Sequence, residues 1–235
     1  MRLSKNILSA SIVLLSTHLY AVDFSGTAGL GSNYIFRGLS LSDAKSSGNL
    51  GFNIGFDDGM YFSTDFHSTK ISGTEFFLIN KLGYKTSSYE FGYTTYEFYD
   101  DLAGLDDELY FSATKGSFGL VLTHNFGQYI TTASKNANIL ELSYAHPLSK
   151  GMNLSATIGG VDLAKPDGYS SGTKYLTGSS LHYGYGKLCV SKDFSSKANI
   201  AACYSATDVD AQAYSTSWTG EEGNDQFFVN ASFTF

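Results

Sequence analysis

The sequence is poor in several residue types whose scarcity limits what the protein can be. Its 235 residues include two prolines, two cysteines and one tryptophan. After the first 21 residues no apolar run approaches 18 residues, which excludes a transmembrane helix. The 15 basic residues are outnumbered by 22 acidic ones, which argues against nucleic acid as a partner because phosphate neutralisation needs a basic surface.

What the chain does contain points to β-structure. There are 17 tyrosines, 18 phenylalanines and 25 glycines, and few residues that would interrupt a strand. The hydrophobic fraction of 43% fits a soluble protein. It fits a transmembrane β-barrel equally well, because there apolar residues alternate with polar residues that face the lumen. The pattern along the chain therefore has to decide between the two.

The first 21 residues predict a secretory signal peptide. Arg2 and Lys5 precede a mainly apolar run from Ile7 to Leu19, and Ala21 suits the residue before a cleavage point. The run is too short to span a bilayer, and no cysteine lies near for a lipid anchor. We expect residues 1–21 to be removed and residues 22–235 to form one domain, with 13 basic and 22 acidic residues.

The last nine residues alternate between apolar and mainly polar positions. One parity carries Phe227, Val229, Ala231, Phe233 and Phe235, and the other carries Phe228, Asn230, Ser232 and Thr234. Side chains of a strand point alternately to its two faces, so the segment predicts a strand with one apolar face. A terminal aromatic residue is typical of outer-membrane barrels. We expect the barrel-assembly machinery to recognise Phe235.

About twelve segments alternate in this way. The first is predicted to run from Phe24 to Phe36, with Tyr34 and Phe36 outward and Asn33 and Arg37 inward. The stretch Phe76 to Ile79 is ambiguous, because four consecutive apolar residues indicate a bulge or a register error.

The connections alternate in length. Short ones fall near Asp58, Ser87, Gly116, Ser149 and Ser195, and longer ones at 38–47, 69–74, 100–106, 128–137, 165–174 and 207–223. Five short and six long connections predict an all-β fold, a transmembrane antiparallel up-and-down β-barrel of twelve strands with both termini in the periplasm. Ten strands is the alternative. A soluble β-sandwich also has short alternating strands, but the signal peptide and the terminal phenylalanine argue against it.

Several stretches resemble a known family. They are Ser32–Ser40 (SNYIFRGLS) with Asp43, Leu82–Lys85, Ile139–Tyr144, and Lys187–Phe194 with Tyr204 and Asp208. They are similar to the TorF-type (Gcw-type) porins of proteobacteria, most specifically in the first stretch. The resemblance implies an outer-membrane barrel that forms a pore, and it implies no particular substrate.

Arg37 is the most informative candidate for the lumen. Its guanidinium could pair with Glu141 or Glu90 and brace the wall, which is the favoured interpretation, or it could bind an anionic solute. The other pore-lining candidates are Asn33, Asp65, His67, Glu90, Glu108, Glu141 and Lys187. Because acidic residues outnumber basic ones here, the sequence predicts a mild preference for cations.

Cys189 and Cys203 are predicted to lie opposite each other in a hairpin centred on Ser196. Directly opposed residues can reach disulfide distance, and the periplasm is oxidising. The alternative is a pair of small wall residues with free thiols.

The sequence offers no catalytic constellation. The carboxylates of the third long loop, Asp100, Asp101, Asp106, Asp107 and Glu108, do not match a calcium-binding loop and predict a solvated loop. His67, His124, His146 and His182 are scattered over four strands and indicate no triad or metal site.

We expect a passive channel for small hydrophilic solutes, without cofactor, in contact with outer-membrane lipid and lipopolysaccharide. The alternatives are a closed structural or adhesive barrel that binds partners through its outer loops and a lipid-modifying enzyme.

Overall fold

Twelve antiparallel strands close into a barrel in the computed structural model, which describes residues 22–71, 74–98, 106–128, 135–163, 181–208 and 225–235. The strands are β1 Val22–Gly31, β2 Ile35–Phe36, β3 Leu39–Ser40, β4 Ser47–Phe56, β5 Met60–Ile71, β6 Thr74–Lys85, β7 Tyr89–Phe98, β8 Asp106–Lys115, β9 Phe118–Gln128, β10 Lys135–Pro147, β11 Met152–Leu163, β12 Leu181–Asp193, β13 Ala198–Thr207 and β14 Gln226–Thr234. Each wall strand pairs with its neighbour in sequence, and β14 pairs with β1. The predicted twelve-stranded up-and-down barrel is confirmed.

The barrel has two different ends. Turns of two to four residues, at 57–59, 86–88, 116–117, 148–151 and 194–197, join strands at the end where β1 begins and β14 finishes. We call this the turn end and the opposite one the loop end. The predicted positions of the five short connections are confirmed. Among the described residues, no helix has the length and apolar character needed to cross a membrane.

The outer surface of the wall is apolar. Large hydrophobic side chains such as Phe24, Leu30, Ile158 and Phe227 are more than 60% exposed. An aqueous protein rarely exposes so many large apolar side chains over a continuous surface. The even-numbered positions of β1, β4, β5 and β6 face outward, and the odd-numbered positions face the lumen, as period-two alternation requires.

The predicted first strand is wrong in its second half. β1 ends at Gly31, and residues 32–46 leave the wall and fold into the lumen, where β2 pairs with β3. Arg37 and Gly38 form the tip of this lumen hairpin (residues 32–46) with φ angles of 48° and 81°. Two central residues with positive φ match the right-handed twist of a tight hairpin, and glycine adopts that conformation without strain.

The lumen hairpin gives the loop-end half of the barrel a hydrophobic core. Leu39 and Leu41 have no exposed surface. They belong to a buried cluster with inward-facing wall residues, namely Phe77, Ile79, Tyr96, Ala137, Ile139, Val161, Leu163, Tyr183 and Tyr185, against which Tyr34 and Phe36 pack. The expectation that Tyr34 and Phe36 face outward is therefore wrong, because the chain has already turned into the barrel.

This core also explains the apolar run at 76–79. Phe76 points outward and is 52% exposed, whereas Phe77 points inward and is 1% exposed. Pairing with β5 is regular there, and the register shift lies between Ser68 and Ile71 instead. The run therefore contains neither a bulge nor a register error: both faces of the strand are apolar because one meets the membrane side and the other meets the lumen hairpin.

Candidate functional site: the lumen and its inserted hairpin

Arg37 crosses the lumen and forms a bidentate ion pair with Glu108 of β8. Its two terminal nitrogens donate to the two carboxylate oxygens at 2.6 and 2.8 Å, and the side chains are 9% and 2% exposed. The hydroxyl of Tyr96 donates to the same carboxylate at 2.8 Å. Parallel N–H···O bonds to a carboxylate are among the strongest polar contacts in proteins. The pair fixes the tip of the lumen hairpin to the wall.

The expected partners of Arg37 are wrong. The sequence favoured Glu141 or Glu90, but Arg37 lies six residues beyond the end of β1 and is carried away from the wall strand that was expected to hold it. Glu108 was also expected among the acidic residues of the third long loop. β8 already begins at Asp106, so Glu108 is a wall residue that faces inward. Asp100 and Asp101 lie outside the described residues.

Asn33 fixes the base of the lumen hairpin. Its side-chain nitrogen donates to Gln226 of β14 at 3.2 Å, and its side-chain oxygen accepts from the hydroxyl of Ser40 at 2.7 Å. The backbone nitrogen of Lys70 in β5 donates to the carbonyl of Leu41 at 3.0 Å. The hairpin is thus bonded to β14 on one side of β1 and to β5 on the other side. Asn33 is a hairpin residue rather than a residue of the first strand.

Aromatic contacts fill the space between hairpin and wall. Tyr34 stacks on His67 with ring centroids 4.3 Å apart, and Phe36 meets Tyr96 edge-on at 5.7 Å. Burial raises the pKa of Tyr34, since the charged phenolate would lose its hydration, so this hydroxyl stays neutral. A β-carbon at Gly38 would lie 2.5 Å from Cβ of Tyr185, which shows how closely the tip approaches β12.

The turn-end half of the lumen is polar and partly exposed. Asp65, Glu90, Glu141 and Lys187 all lie on inward-facing positions there, as expected from their parity. They lie on β5, β7, β10 and β12, and no ion pair is found among these four described side chains. Four separate strands therefore supply the charged side chains on this side of the wall.

Two tyrosines that sequence reasoning missed organise one side of this polar wall. The hydroxyl of Tyr110 donates to Glu90 at 2.7 Å, and Tyr61 contacts both groups. Each tyrosine is paired with a glycine on the neighbouring strand, Tyr61 with Gly83 and Tyr110 with Gly92. An aromatic ring laid over a strand glycine covers backbone that has no side chain of its own. An inward tyrosine opposite a glycine was the signal that could have identified them.

Cys189 and Cys203 form a disulfide on the lumen face. They are paired across β12 and β13 in the register expected from the sequence, with their α-carbons 4.1 Å apart. Phe228 of β14 and Ile35 of the lumen hairpin pack against the bridge. The disulfide therefore stiffens the wall that supports the hairpin.

The histidines do not converge on one site. His67 faces the lumen hairpin, whereas His124, His146 and His182 occupy outward positions of β9, β10 and β12. Within the described part of the chain, no three His, Cys, Asp or Glu side chains lie close enough together to hold a metal ion.

Solved structures with a similar fold are outer-membrane porins and channels. The NanC porin matches with a TM-score of 0.54 and 8% identity over 91% of this chain and 99% of its own. The KdgM porin matches with a TM-score of 0.52 and 8% identity, covering 92% and 99%. The COG4313 outer membrane channel from Pseudomonas putida F1 matches with a TM-score of 0.50 and 12% identity, covering 93% and 96%. At such identities the likeness concerns the fold.

The sequence itself gives the family assignment. No curated protein matches the chain. The model of the family described as "Bacterial protein of unknown function (Gcw_chp)" matches residues 17–235, which include the lumen hairpin and every wall strand. The resemblance noted in the first strand thus extends over the whole barrel, and the chain belongs to the Gcw_chp family.

Proposed function

We propose that the protein is a narrow, passive channel for small hydrophilic solutes in the outer membrane of a Gram-negative bacterium. The observation that carries this proposal is the division of the lumen into two halves. The turn-end half is lined by polar, partly exposed side chains, and the loop-end half is filled by the lumen hairpin. In such a pore the polar wall replaces hydration, and the hairpin sets the constriction.

The charges that face the lumen support a mild preference for cations. The Arg37–Glu108 pair is neutral as a unit. Away from it, the inward charged side chains of the described wall strands are Asp23, Asp65, Glu75, Glu90, Glu141, Asp193, Lys81, Lys85 and Lys187. Six carboxylates against three ammonium groups favour cations. A reversal potential of anion-selective sign in a salt gradient would contradict this part of the proposal.

Conductance in planar bilayers tests the channel directly. Gly31 and Ser47 are paired in β1 and β4, so a two-residue Asn-Gly turn can replace residues 32–46 without stretching the wall. We expect discrete conductance steps from the wild-type protein and several-fold larger steps from this variant. The matched control is Lys45→Ala, which changes the hairpin only at an exposed side chain. Equal step sizes in all three proteins would contradict a constriction formed by the hairpin.

A closed barrel that binds partners through its outer loops is the second candidate. The complete burial of Leu39 and Leu41 favours it, because residues at the centre of an open aqueous pore would be exposed. Its distinguishing result is a folded wild-type protein that shows no conductance while the variant without the hairpin conducts. That outcome would reject the passive channel and assign the hairpin the role of a permanent seal.

A further inference from the structure

A groove runs along the outer face of the barrel near the loop end. It has a volume of about 800 Å³ and extends over β8 to β12. Leu109, Leu122 and Leu140 form one apolar side and are 46–55% exposed. Gly160 and Gly184, paired with each other on β11 and β12, form its floor. This hollow lies on the face that the barrel turns toward the membrane.

The glycines of the floor are not needed for packing within the wall. A β-carbon at Gly160 or Gly184 would have its nearest neighbour 3.8–3.9 Å away, which is ordinary van der Waals contact. By contrast, Gly83 and Gly92 lie under tyrosine rings that a β-carbon would strike. Glycine weakens a strand and often marks a place where a ligand approaches the backbone closely. The wall therefore leaves this space open where a side chain would fit.

A row of polar side chains borders the groove on its loop-end side. His124, Asn138, Asp162 and His182 are aligned by strand pairing across β9 to β12, and all four are exposed. Nδ1 of His124 lies 2.9 Å from the side-chain oxygen of Asn138. The row thus places two imidazoles, an amide and a carboxylate side by side on the outer surface.

The height of this row matches the boundary of the apolar band. On β10 the outward residues between Asn138 and His146 are Leu140, Leu142 and Tyr144. Eight residues at about 3.3 Å each, tilted by about 40°, correspond to roughly 20 Å along the membrane normal. That approaches the height of about 25 Å of the apolar band of such barrels. The polar row therefore lies at the level of lipid headgroups, with the apolar groove below it at the level of acyl chains.

We propose that the groove is a binding site for lipopolysaccharide, with one acyl chain of its lipid A on the glycine floor and the phosphorylated sugar against the polar row. Nδ1 of His124 donates to the side-chain oxygen of Asn138, which leaves the amide nitrogen of Asn138 to donate to a phosphate oxygen. The imidazole of His182 can donate in the same way, and the carboxylate of Asp162 can accept from sugar hydroxyls or amides. The polar row can form hydrogen bonds with a phosphorylated sugar. A second barrel would place its apolar outer side chains against the row, so lipid A is the occupant that fits better. The inference rests on the proposed outer-membrane location and is independent of whether the lumen conducts.

Native mass spectrometry of the full folded barrel tests the site, with hexa-acylated lipid A as probe and phosphatidylethanolamine as competitor. We expect the wild-type protein to retain one lipid A in preference to the competitor. The double variant Gly160→Leu/Gly184→Leu fills the floor, and we expect it to bind lipid A about tenfold more weakly, the loss given by about two buried methylenes. The control Ala202→Leu adds apolar bulk to the outward face of β13, outside the groove, and should bind as the wild type does.

A second variant covers the case in which the filled groove does not fold. His124→Ala/His182→Ala leaves the wall intact, and it should lose the preference for lipid A while its binding of phosphatidylethanolamine is unchanged. Equal retention of lipid A by this variant and the wild type would overturn the proposal, as would equal loss from Gly160→Leu/Gly184→Leu and Ala202→Leu. Conductance recorded on the same preparations shows separately whether the channel proposal fails, and fractionation of the cell envelope shows whether the location does.

Discussion

Arg37 and Glu108 form a buried ion pair whose two members come from separate parts of the chain. Desolvating a guanidinium and a carboxylate is costly, and the bidentate geometry with the added bond from Tyr96 offsets that cost. The net stabilisation from the pair is therefore small compared with the cost of removing one partner. The main effect of the Arg37–Glu108 pair is to fix the position of the tip of the lumen hairpin.

Replacing Arg37 alone should destabilise the protein strongly. Arg37→Ala leaves Glu108 buried without its cation, and we expect the free energy of unfolding to fall by about 3–5 kcal/mol. Lys45→Ala is the matched control, since the Lys45–Asp43 pair is exposed on its lysine side, and it should change stability by less than about 1 kcal/mol. Urea titration of the micelle-folded barrel measures both.

The double variant Arg37→Met/Glu108→Leu tests whether the loss of stability in Arg37→Ala comes from the unpaired buried charge of Glu108. It removes both buried charges and keeps apolar volume, so it should recover most of the stability that Arg37→Ala loses. If Arg37→Ala and Lys45→Ala had the same effect on the urea midpoint, the tip of the hairpin would not be held by this pair.

At the scale of an element, the lumen hairpin behaves as a small hydrophobic core inserted into a membrane protein. Its leucines meet inward apolar residues from wall strands on several sides, so they are buried as side chains are in the interior of a soluble domain. Two adjacent phenylalanines of β6 distinguish the hairpin side of the wall from the membrane side. Phe77 points toward the hairpin and Phe76 points toward the membrane.

Phe77→Ala should therefore destabilise the barrel far more than Phe76→Ala. Removing the ring of Phe77 leaves a cavity against the hairpin, at a cost of about 3–5 kcal/mol. The outward ring of Phe76 is replaced by lipid or detergent, so that variant should change stability by only about 1 kcal/mol. Urea titration gives the stability of each, and bilayer recordings should show noisier or larger steps for Phe77→Ala. Equal effects of the two variants would contradict a packed hairpin core.

The strands of the wall could be predicted from the sequence because each turn and each pairing depends on residues that are close together in the chain. The turn at Asp57–Gly59 and the pairing of Cys189 with Cys203 each depend on residues within one hairpin. The lumen hairpin was not predictable in the same way. Tyr34 and Phe36 continue the outward parity of β1, so alternation alone cannot show that the chain has left the wall.

The partner of Arg37 was missed for a related reason. Which carboxylate Arg37 reaches depends on how far the hairpin extends across the lumen. The alternation of residues within one strand does not predict that distance. One sequence signal of the inserted core is the pair of apolar residues on the inward parity of β6, Phe77 and Ile79, from which the sequence predicted an irregularity instead. A polar lumen would not have placed them there.

At the scale of the whole molecule, the barrel depends on the closure between its first and last strands. β1 and β14 have five directly paired positions, from Thr27–Thr234 to Gly31–Asn230. Phe235 extends this closure with two backbone hydrogen bonds to Gly26, both 2.9 Å long, and its ring lies over that glycine. The C-terminal residue is thus part of the seam that completes the wall.

Deleting Phe235 should impair assembly more than removing its ring. The deletion removes both backbone bonds to Gly26, whereas Phe235→Ala keeps them and exposes the glycine. We propose that the assembly machinery also recognises the terminal aromatic side chain, so Phe235→Ala should lower the amount of folded barrel in the envelope and Phe235→Tyr should restore it. The shift in gel mobility on heating measures the folded fraction. Normal folding of the deletion variant would contradict a role for Phe235 in closure.

The apolar inward face of β6 has a consequence for secretion. Phe76 to Ile79 is a continuous apolar stretch, and such stretches pair readily with other chains while they are unfolded. The lumen hairpin that covers its inward side precedes it in the sequence. If the chain is exported N-terminus first, the lumen hairpin is already present when this stretch emerges, so the segment that buries Phe77 and Ile79 does not have to be awaited before the barrel closes.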